Sequence, residues 1–355
     1  MTDPTKSASV VDLFCGAGGL SYGCHQEGFT VVAGIDADEG SRHAFEANIR
    51  APFLRRDVST LTGVELQELF LDRKHTVLVG CAPCQPFSTY NQKNDDPNWK
   101  LLQDFGRLIC ESEPDVVSME NVPRLLNFRG GAVFGAFTDT LRSAGYEVVF
   151  DVLYGPDYGL AQTRLRLVLL ASRLGRITLP QPTHANDHRT VEMEIGTLPA
   201  LIAGGSDSED RLHRASRLSA TNLERIRASK PGGTWRDWPE RLVAKCHKED
   251  AGRGYSAVYG RMSPDRPAPT ITTQFYGFGN GRFGHPYQDR GLSLREGAML
   301  QGFKPDYHFV PDGVPISFKN VGKMIGNAVP VPLARAIARS VSDHVAAHAA
   351  ETVDA

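Results

Sequence analysis

The sequence predicts an α/β fold: a doubly wound sheet with helices on both faces, and a second, smaller domain. Three observations lead there. β-Branched apolar runs alternate with helical patterns from Ser9 to Ala171. The first run ends in a glycine-rich turn, Cys15-Gly-Ala-Gly-Gly19, that opens a helix. Acidic residues (Asp36, Asp57, Glu120) stand at the ends of later runs, where sheets of this class collect ligands and chemistry.

In chain order, Ser9 to Phe14 is the first strand and Leu20 to Glu27 the first helix, closed by Gly28. The glycines let the backbone approach a ligand, and the helix start presents unpaired N–H groups. The second strand, Phe29 to Ile35, runs into Asp36, about 20 positions after the glycines, where a carboxylate can accept from a ribose. A helix, Glu39 to Asn48, and a short strand at Phe53-Leu54 lead to Asp57, an acid suited to the exocyclic amine of an adenine. This spacing fits a nucleoside-containing cofactor. Gly16-x-Gly18 is followed by Gly19 and Gly23, an imperfect pyrophosphate fingerprint, which favours a cofactor without phosphates. An ordinary βα turn with solvent-facing acids is the plain alternative.

Helix Leu61 to Asp72 precedes the fourth strand, His75 to Val79, which Gly80 ends. The loop Cys81-Ala-Pro-Cys84-Gln-Pro-Phe-Ser88 then puts Cys84 near a strand end as a candidate nucleophile. Three other readings stay open. Zinc needs four ligands, and no second cysteine pair exists. A redox Cys-x-x-Cys pair wants a helix starting at the motif, whereas Pro83 and Pro86 favour a loop. The third is a buried structural cysteine. The polar run Thr89 to Asn98 reads as a mobile lid. Helix Leu101 to Ser112 and strand Asp115 to Met119 deliver Glu120-Asn121, bracketed by Pro114 and Pro123; Glu120 is a candidate acid toward a substrate. After helix Ala132 to Ala144 and strand Tyr146 to Leu153, Gln162, Arg164 and Arg166 share one face of a strand that enters Leu167 to Ala171. Two arginines there suit a carbonyl oxygen, a phosphate or a catalytic carboxylate, or else a surface ion-pair stripe.

The composition, 41% hydrophobic and 23% charged, is that of a globular protein with no run long enough for a membrane span. The polar N-terminus lacks a signal-peptide core, so a cytoplasmic protein with six reduced cysteines is expected. From about 185 to 285 the α/β alternation is lost. The segment has a helical piece, Asn222 to Ser229, and strand-like runs at Ala257 to Tyr259 and Pro269 to Thr273. Residues 211–253 carry 11 Lys+Arg against 5 Asp+Glu, a balance of +6 where the rest of the chain is −8. That segment suits a polyanion, or is a solvated helical face.

Taken together, these residues resemble the DNA (cytosine-5) methyltransferase family, compact bacterial type. The matches run in family order: Asp12-Leu-Phe-Cys-Gly-Ala-Gly-Gly19, Asp36, Asp57, Pro83-Cys84-Gln85, Glu120-Asn121-Val122, Gln162-x-Arg164-x-Arg166, Arg295 to Phe303 and Gly326-Asn327-Ala328-Val329. The resemblance implies a Rossmann-like fold that binds S-adenosyl-L-methionine. It divides the chain into a catalytic and cofactor-binding domain (1–184), a target-recognition domain (185–285) and a segment returning to the catalytic domain (286–355), with DNA in the cleft between the domains. The C-terminal helix is expected to pack on the N-terminal sheet.

The resemblance also implies roles. Cys84 attacks C6 of a flipped-out cytosine. Glu120 binds N3 and the exocyclic amine, Arg164 the base O2, and Arg166 holds Glu120 or the loop. Asn121 supports the Pro83-Cys84 backbone. Phe14, Cys15, Gly16, Ala17, Gly18 and Gly19 line the cofactor pocket, with Asp36, Ala37, Asp57 and Val58. Pro83, Leu101, Asn327, Ala328 and Val329 complete it. Gln85, Ser88, Gln162, Thr270 and Thr272 are implied to contact DNA, and no metal is called for. Ala37 replaces a larger side chain found in many members, which implies weaker cofactor affinity or compensation by Tyr22 or another ring. Cys81 receives no role, so Cys81→Ala is expected to be nearly harmless. The implied partners are double-stranded DNA and a cognate restriction endonuclease, with the chain a monomer. A transfer-RNA methyltransferase of the same family and a non-catalytic DNA-binding relative are the competing readings.

Overall fold

The computed structural model describes residues 8–70, 74–87, 96–249 and 254–351. The chain forms two compact units. The first holds the residues up to Tyr158, Leu165–Thr183 and those from Val329 on; the second holds Gly159–Arg164 and His184–Ala328. No helix among the described residues is long and apolar enough to cross a membrane.

The first unit alternates strand and helix: β1 (Ala8–Leu13), α1 (Gly19–Gln26), β2 (Thr30–Asp36), α2 (Arg42–Ile49), β3 (Phe53–Arg55), α3 (Gly63–Leu69), β4 (His75–Gly80), α4 (Leu101–Ser112), β5 (Val116–Asn121), α5 (Ala132–Ser143) and β6 (Glu147–Tyr154). A two-residue strand, β7 (Gln162–Thr163), lies in the second unit; β8 (Leu165–Ser172) returns to the first. The sheet has seven strands in the order β3-β2-β1-β4-β5-β8-β6. Strands β1 to β5 pair in parallel, while β8 is antiparallel to both β5 and β6. The strand order reverses between β1 and β4, whose last residues, Leu13 and Gly80, are partners. Such a reversal leaves a crevice beyond the carboxyl ends of the strands. Beneath it, Leu13, Leu78, Met119 and Leu169 pack with Leu66, Phe105, Leu108 and Phe137 in one core. Each such fully buried side chain contributes roughly 1.5–3 kcal/mol.

In the second unit, α6 (Val191–Ile195), α7 (Ala220–Ala228) and α8 (Lys245–Lys248) precede β9 (Ala268–Pro269), and α9 (Leu294–Leu300) and α10 (Phe318–Asn327) follow it. Strand β9 pairs with β7 in parallel. A small core gathers Ile226, Trp235, Trp238, Leu242 and Phe278. Polar groups do much of the bracing. Arg290 reaches Glu296 with two bonds of 2.8 and 2.6 Å, both side chains being buried, and Ser293 and Glu296 form a capping box at the start of α9. Gly326 has no room for a side chain: a Cβ there would lie 2.4 Å from the carbonyl carbon of Thr272.

Three expectations change here. Residues 257–259 and 270–273 form no strand; only Ala268–Pro269 pairs. The second unit continues to Ala328, well past residue 285, because α9 and α10 pack within it. Part of the basic segment is spent internally: Arg211, Arg227, Arg241 and Lys248 pair with Asp312, Asp289, Glu224 and Glu240.

The last helix, α11 (Val331–Glu351), packs in the first unit, chiefly on helix α1. Gly23 permits the contact, since a Cβ there would stand 2.4 Å from Ala334 Cβ. Glu27 then accepts from Arg335 Nε at 2.6 Å and Arg339 Nε at 2.8 Å.

Candidate active site

The glycine turn is pinned at both ends. Phe14 takes a left-handed conformation, φ 59°, and Gly16 and Gly18 follow at 50° and 87°. A non-glycine residue there is uncommon and costs backbone energy, a feature that clusters at ligand sites. Cys15 N–H donates to Ile35 O, and Gly16 N–H donates to Asp36 Oδ2 at 2.9 Å. Asp36 therefore fixes the turn, and its other oxygen accepts from Asp38 N–H. Nothing lies within 4 Å of the Cβ that Gly16 lacks, so open space faces this backbone. Cys15, Ala17, Gly18 and Gly19 are buried, while Ala37 is exposed.

Asp57 follows β3, with its side chain accepting from Ser59 N–H, and Val58 is buried next to it. Leu101 opens α4. Asn327 ends α10 as an exposed residue of the second unit. Ala328 follows it there, and Val329 already belongs to the first unit. An open glycine turn with acids at the ends of β2 and β3 fits a nucleoside sulfonium such as S-adenosyl-L-methionine.

Gly80 ends β4 under tight packing: a Cβ there would stand 3.0 Å from the Phe105 ring and 3.1 Å from Leu13 O. Cys84 follows in a loop with its side chain half-buried against the core, and Phe87 N–H donates back to Cys84 O. Pro83 is half-buried and Gln85 exposed, while Ser88 and residues 89–95 of the expected lid lie outside the described residues. Glu120 and Asn121 end β5, the strand next to β4. Asn121 Nδ2 donates to Ala82 O at 3.0 Å, tying β5 to the cysteine loop.

Glu120 is 2% exposed, and Arg166 Nε approaches its Oε1 to 2.6 Å. This is an ion pair off the ideal hydrogen-bond direction. The other oxygen, Oε2, lies 2.8 Å from Cys81 Sγ. Burial, then the charge of Glu120, pushes the Cys81 thiol well above its usual pKa, so the proton stays on sulfur and the S–H donates. Sequence reasoning gave Cys81 no part. The register Gly80↔Met119, which sets Cys81 beside Glu120, is invisible in a single chain of letters.

The expected common face of Gln162, Arg164 and Arg166 does not form. Strand β7 ends at Thr163 and pairs with β9, so Arg164 stays in the second unit while Arg166 enters β8 of the first. Arg164 Nη1 donates to Ile271 O and Nη2 to Gly326 O. Gln162 has no exposed surface, and its amide bonds Leu300 O, Gln301 Oε1 and Ile271 N–H. The side chain expected at DNA is thus enclosed within the second unit. Thr270 Oγ1 donates to Thr163 O, and Thr272 is exposed beside Gly326.

The family model of C-5 cytosine-specific DNA methylases matches residues 8–343. The chain belongs to this family. It is a DNA (cytosine-5) methyltransferase, and family and fold imply use of S-adenosyl-L-methionine. The Type II methylase M.HgiDII of Herpetosiphon aurantiacus is 51% identical over 335 residues, 94% of either chain. The Type II methyltransferase M1.HphI of Haemophilus parahaemolyticus is 33% identical over 94% of this chain and 87% of its own. A prophage-encoded E. coli protein, described as a DNA modification methyltransferase, superposes with a TM-score of 0.74. The match covers 95% of this chain and 99% of that one, and its 23% identity speaks for the fold alone. The methylase thus has the α/β fold expected from its sequence.

Proposed function

We propose that Cys84 is the nucleophile of a sequence-specific, type II DNA cytosine-5 methyltransferase, with Glu120 and Arg166 as its partners in catalysis. Support comes chiefly from one observation: a buried Glu120, paired with Arg166, stands at the end of the strand beside the Cys84 loop. S-adenosyl-L-methionine, when bound, supplies the methyl group, and the Gly16 to Gly19 turn with Asp36 and Asp57 is the stretch suited to hold it. The Cys84 thiolate forms a bond to C6 of the cytosine, and the C5=C6 electron pair moves to C5, making that carbon nucleophilic. Glu120 accepts from the exocyclic amine and passes a proton to N3 as negative charge develops in the ring, taking that proton back when the adduct breaks. Once C5 is methylated, its proton passes to a solvent base. The pair left on C5 restores the double bond as the Cys84–C6 bond breaks. Arg166 keeps Glu120 in place. Arg164, whose Nη1 and Nη2 serve carbonyls of the second unit, is read as a brace that can also reach the base O2.

The target base must leave the duplex to reach Cys84. The second unit serves as target-recognition region, and the free protein is a monomer. The type II relatives favour a companion endonuclease in the same cell, and the chain works on DNA in the cytoplasm. Bisulfite sequencing of DNA from a host without cytosine-5 methylation tests this reading. Expression of the chain should protect cytosines in one short motif, and Cys84→Ala should abolish protection. Unmodified DNA beside a folded, soluble protein would overturn it, and transfer RNA would be the next substrate tried.

A further inference from the structure

The geometry assigns Cys81 to the reaction as a positioning residue: its thiol holds one oxygen of Glu120 while Arg166 holds the other. The inference rests on the catalytic reading of Glu120. Three observations carry it. Cys81 Sγ lies 2.8 Å from Glu120 Oε2, and Arg166 Nε lies 2.6 Å from Oε1, so the carboxylate is gripped from both sides. The pairing of β4 with β5 puts Gly80 opposite Met119, which places Cys81 beside Glu120 by strand register and not by a chance rotamer. Glu120 is buried, so few other donors reach it.

An ionised carboxylate only accepts, and a protonated thiol can donate to it. A carboxylate held at both oxygens cannot swing about its last torsion. It meets the cytosine ring edge already oriented, and orientation is worth much in rate when a misplacement of about 1 Å costs roughly 10²-fold. Each carboxylate oxygen accepts more than one bond, so the thiol need not leave when the base arrives. Cys81 touches Glu120 and acts through it.

The test compares Cys81→Ala and Cys81→Ser with the parent enzyme on cognate duplex DNA and S-adenosyl-L-methionine, reading kcat and KM. Alanine should lower kcat about tenfold, the scale of one hydrogen bond to a charged group, with KM for DNA changed less than about twofold. Serine, which restores a donor, should recover most of kcat. Equal kcat for alanine and parent would overturn the proposal. So would equal losses in alanine and serine that track a lowered melting temperature. Cys84→Ala and Glu120→Gln separate the two readings: if either stays active, the catalytic reading fails first. If both are dead while Cys81→Ala matches the parent, only the role of Cys81 falls.

Discussion

Arg166 Nε stands 2.6 Å from Glu120 Oε1, and the two residues come from strands of opposite direction. Strand β8 starts where β5 ends, so its second residue meets the acid at the sheet's carboxyl edge. Breaking a buried pair leaves one charge stranded, at a cost on the order of 3–5 kcal/mol when burial is complete. Arg166→Ala should therefore lower kcat by at least about 100-fold while DNA binding by gel shift changes little. Arg166→Lys keeps the charge but not the fork and should fall between. Full activity in the alanine variant would remove Arg166 from the mechanism.

Gly326→Ala should unsettle the second unit. The added Cβ would lie 2.4 Å from both Thr272 C and Thr273 N, which are backbone atoms and cannot rotate away. Overpacking of this kind costs about 1–3 kcal/mol or more. Hydrogen exchange should speed up around residues 268–275, and the melting temperature should fall. An unchanged exchange pattern would show that the close approach relaxes without cost.

Asp12, buried in β1, accepts from Ser21 Oγ at 2.6 Å. Burial pushes its pKa up to about 7, against the lowering effect of that bond. The folded state then binds a proton that the unfolded state releases from about pH 4 upward. Stability contributed by this group is present at low pH and declines as pH rises toward 7. Asp12→Asn should flatten that decline in urea unfolding compared at pH 5 and pH 8. Parallel declines in both proteins would count against the assignment.

Glu27 is the opposite case. Burial alone would raise its pKa, but the bonds from Arg339 and Arg335 leave it below the ordinary carboxylate value. A lowered folded pKa gives stability that is present above the unfolded value, about 4.3, and is lost as pH falls through the folded one. Glu27→Gln should lower the melting temperature at pH 7, and the difference should shrink as pH falls below about 4. A difference that persists in acid would point to packing instead.

Much of this was legible because it is local. Strand, glycine turn and helix from Ala8 to Gln26 follow from apolar runs broken by glycine, and the same logic puts Cys84 in the loop after one strand and Glu120 at the end of the next. The partner of Cys81 was not legible, since it depends on which residue of β5 stands beside Gly80. The separation of Arg164 from Arg166 was hidden too. It follows from β7 pairing with Ala268–Pro269, more than a hundred residues later, and alternation along one strand carries no trace of such a partner. Gln162 looked like a contact for DNA because it is polar in a family motif. Its bonds to Gln301 and Ile271, partners more than a hundred residues away, could not be read from the motif.

The clasp between Glu27 and Arg335 spans 308 residues of chain. A ribosome adding about 5–20 residues per second makes the second half of it roughly 15–60 s after the first. Through that interval the surface of α1 around Gly23, built to receive Ala334, has no helix to cover it. The catalytic sheet is thus among the first parts synthesised and the last completed, a long window in which chaperones or early misassembly can act. A message cut short before Val331 would yield every residue proposed for the cytosine and still leave the nascent enzyme without the helix that closes its first layer.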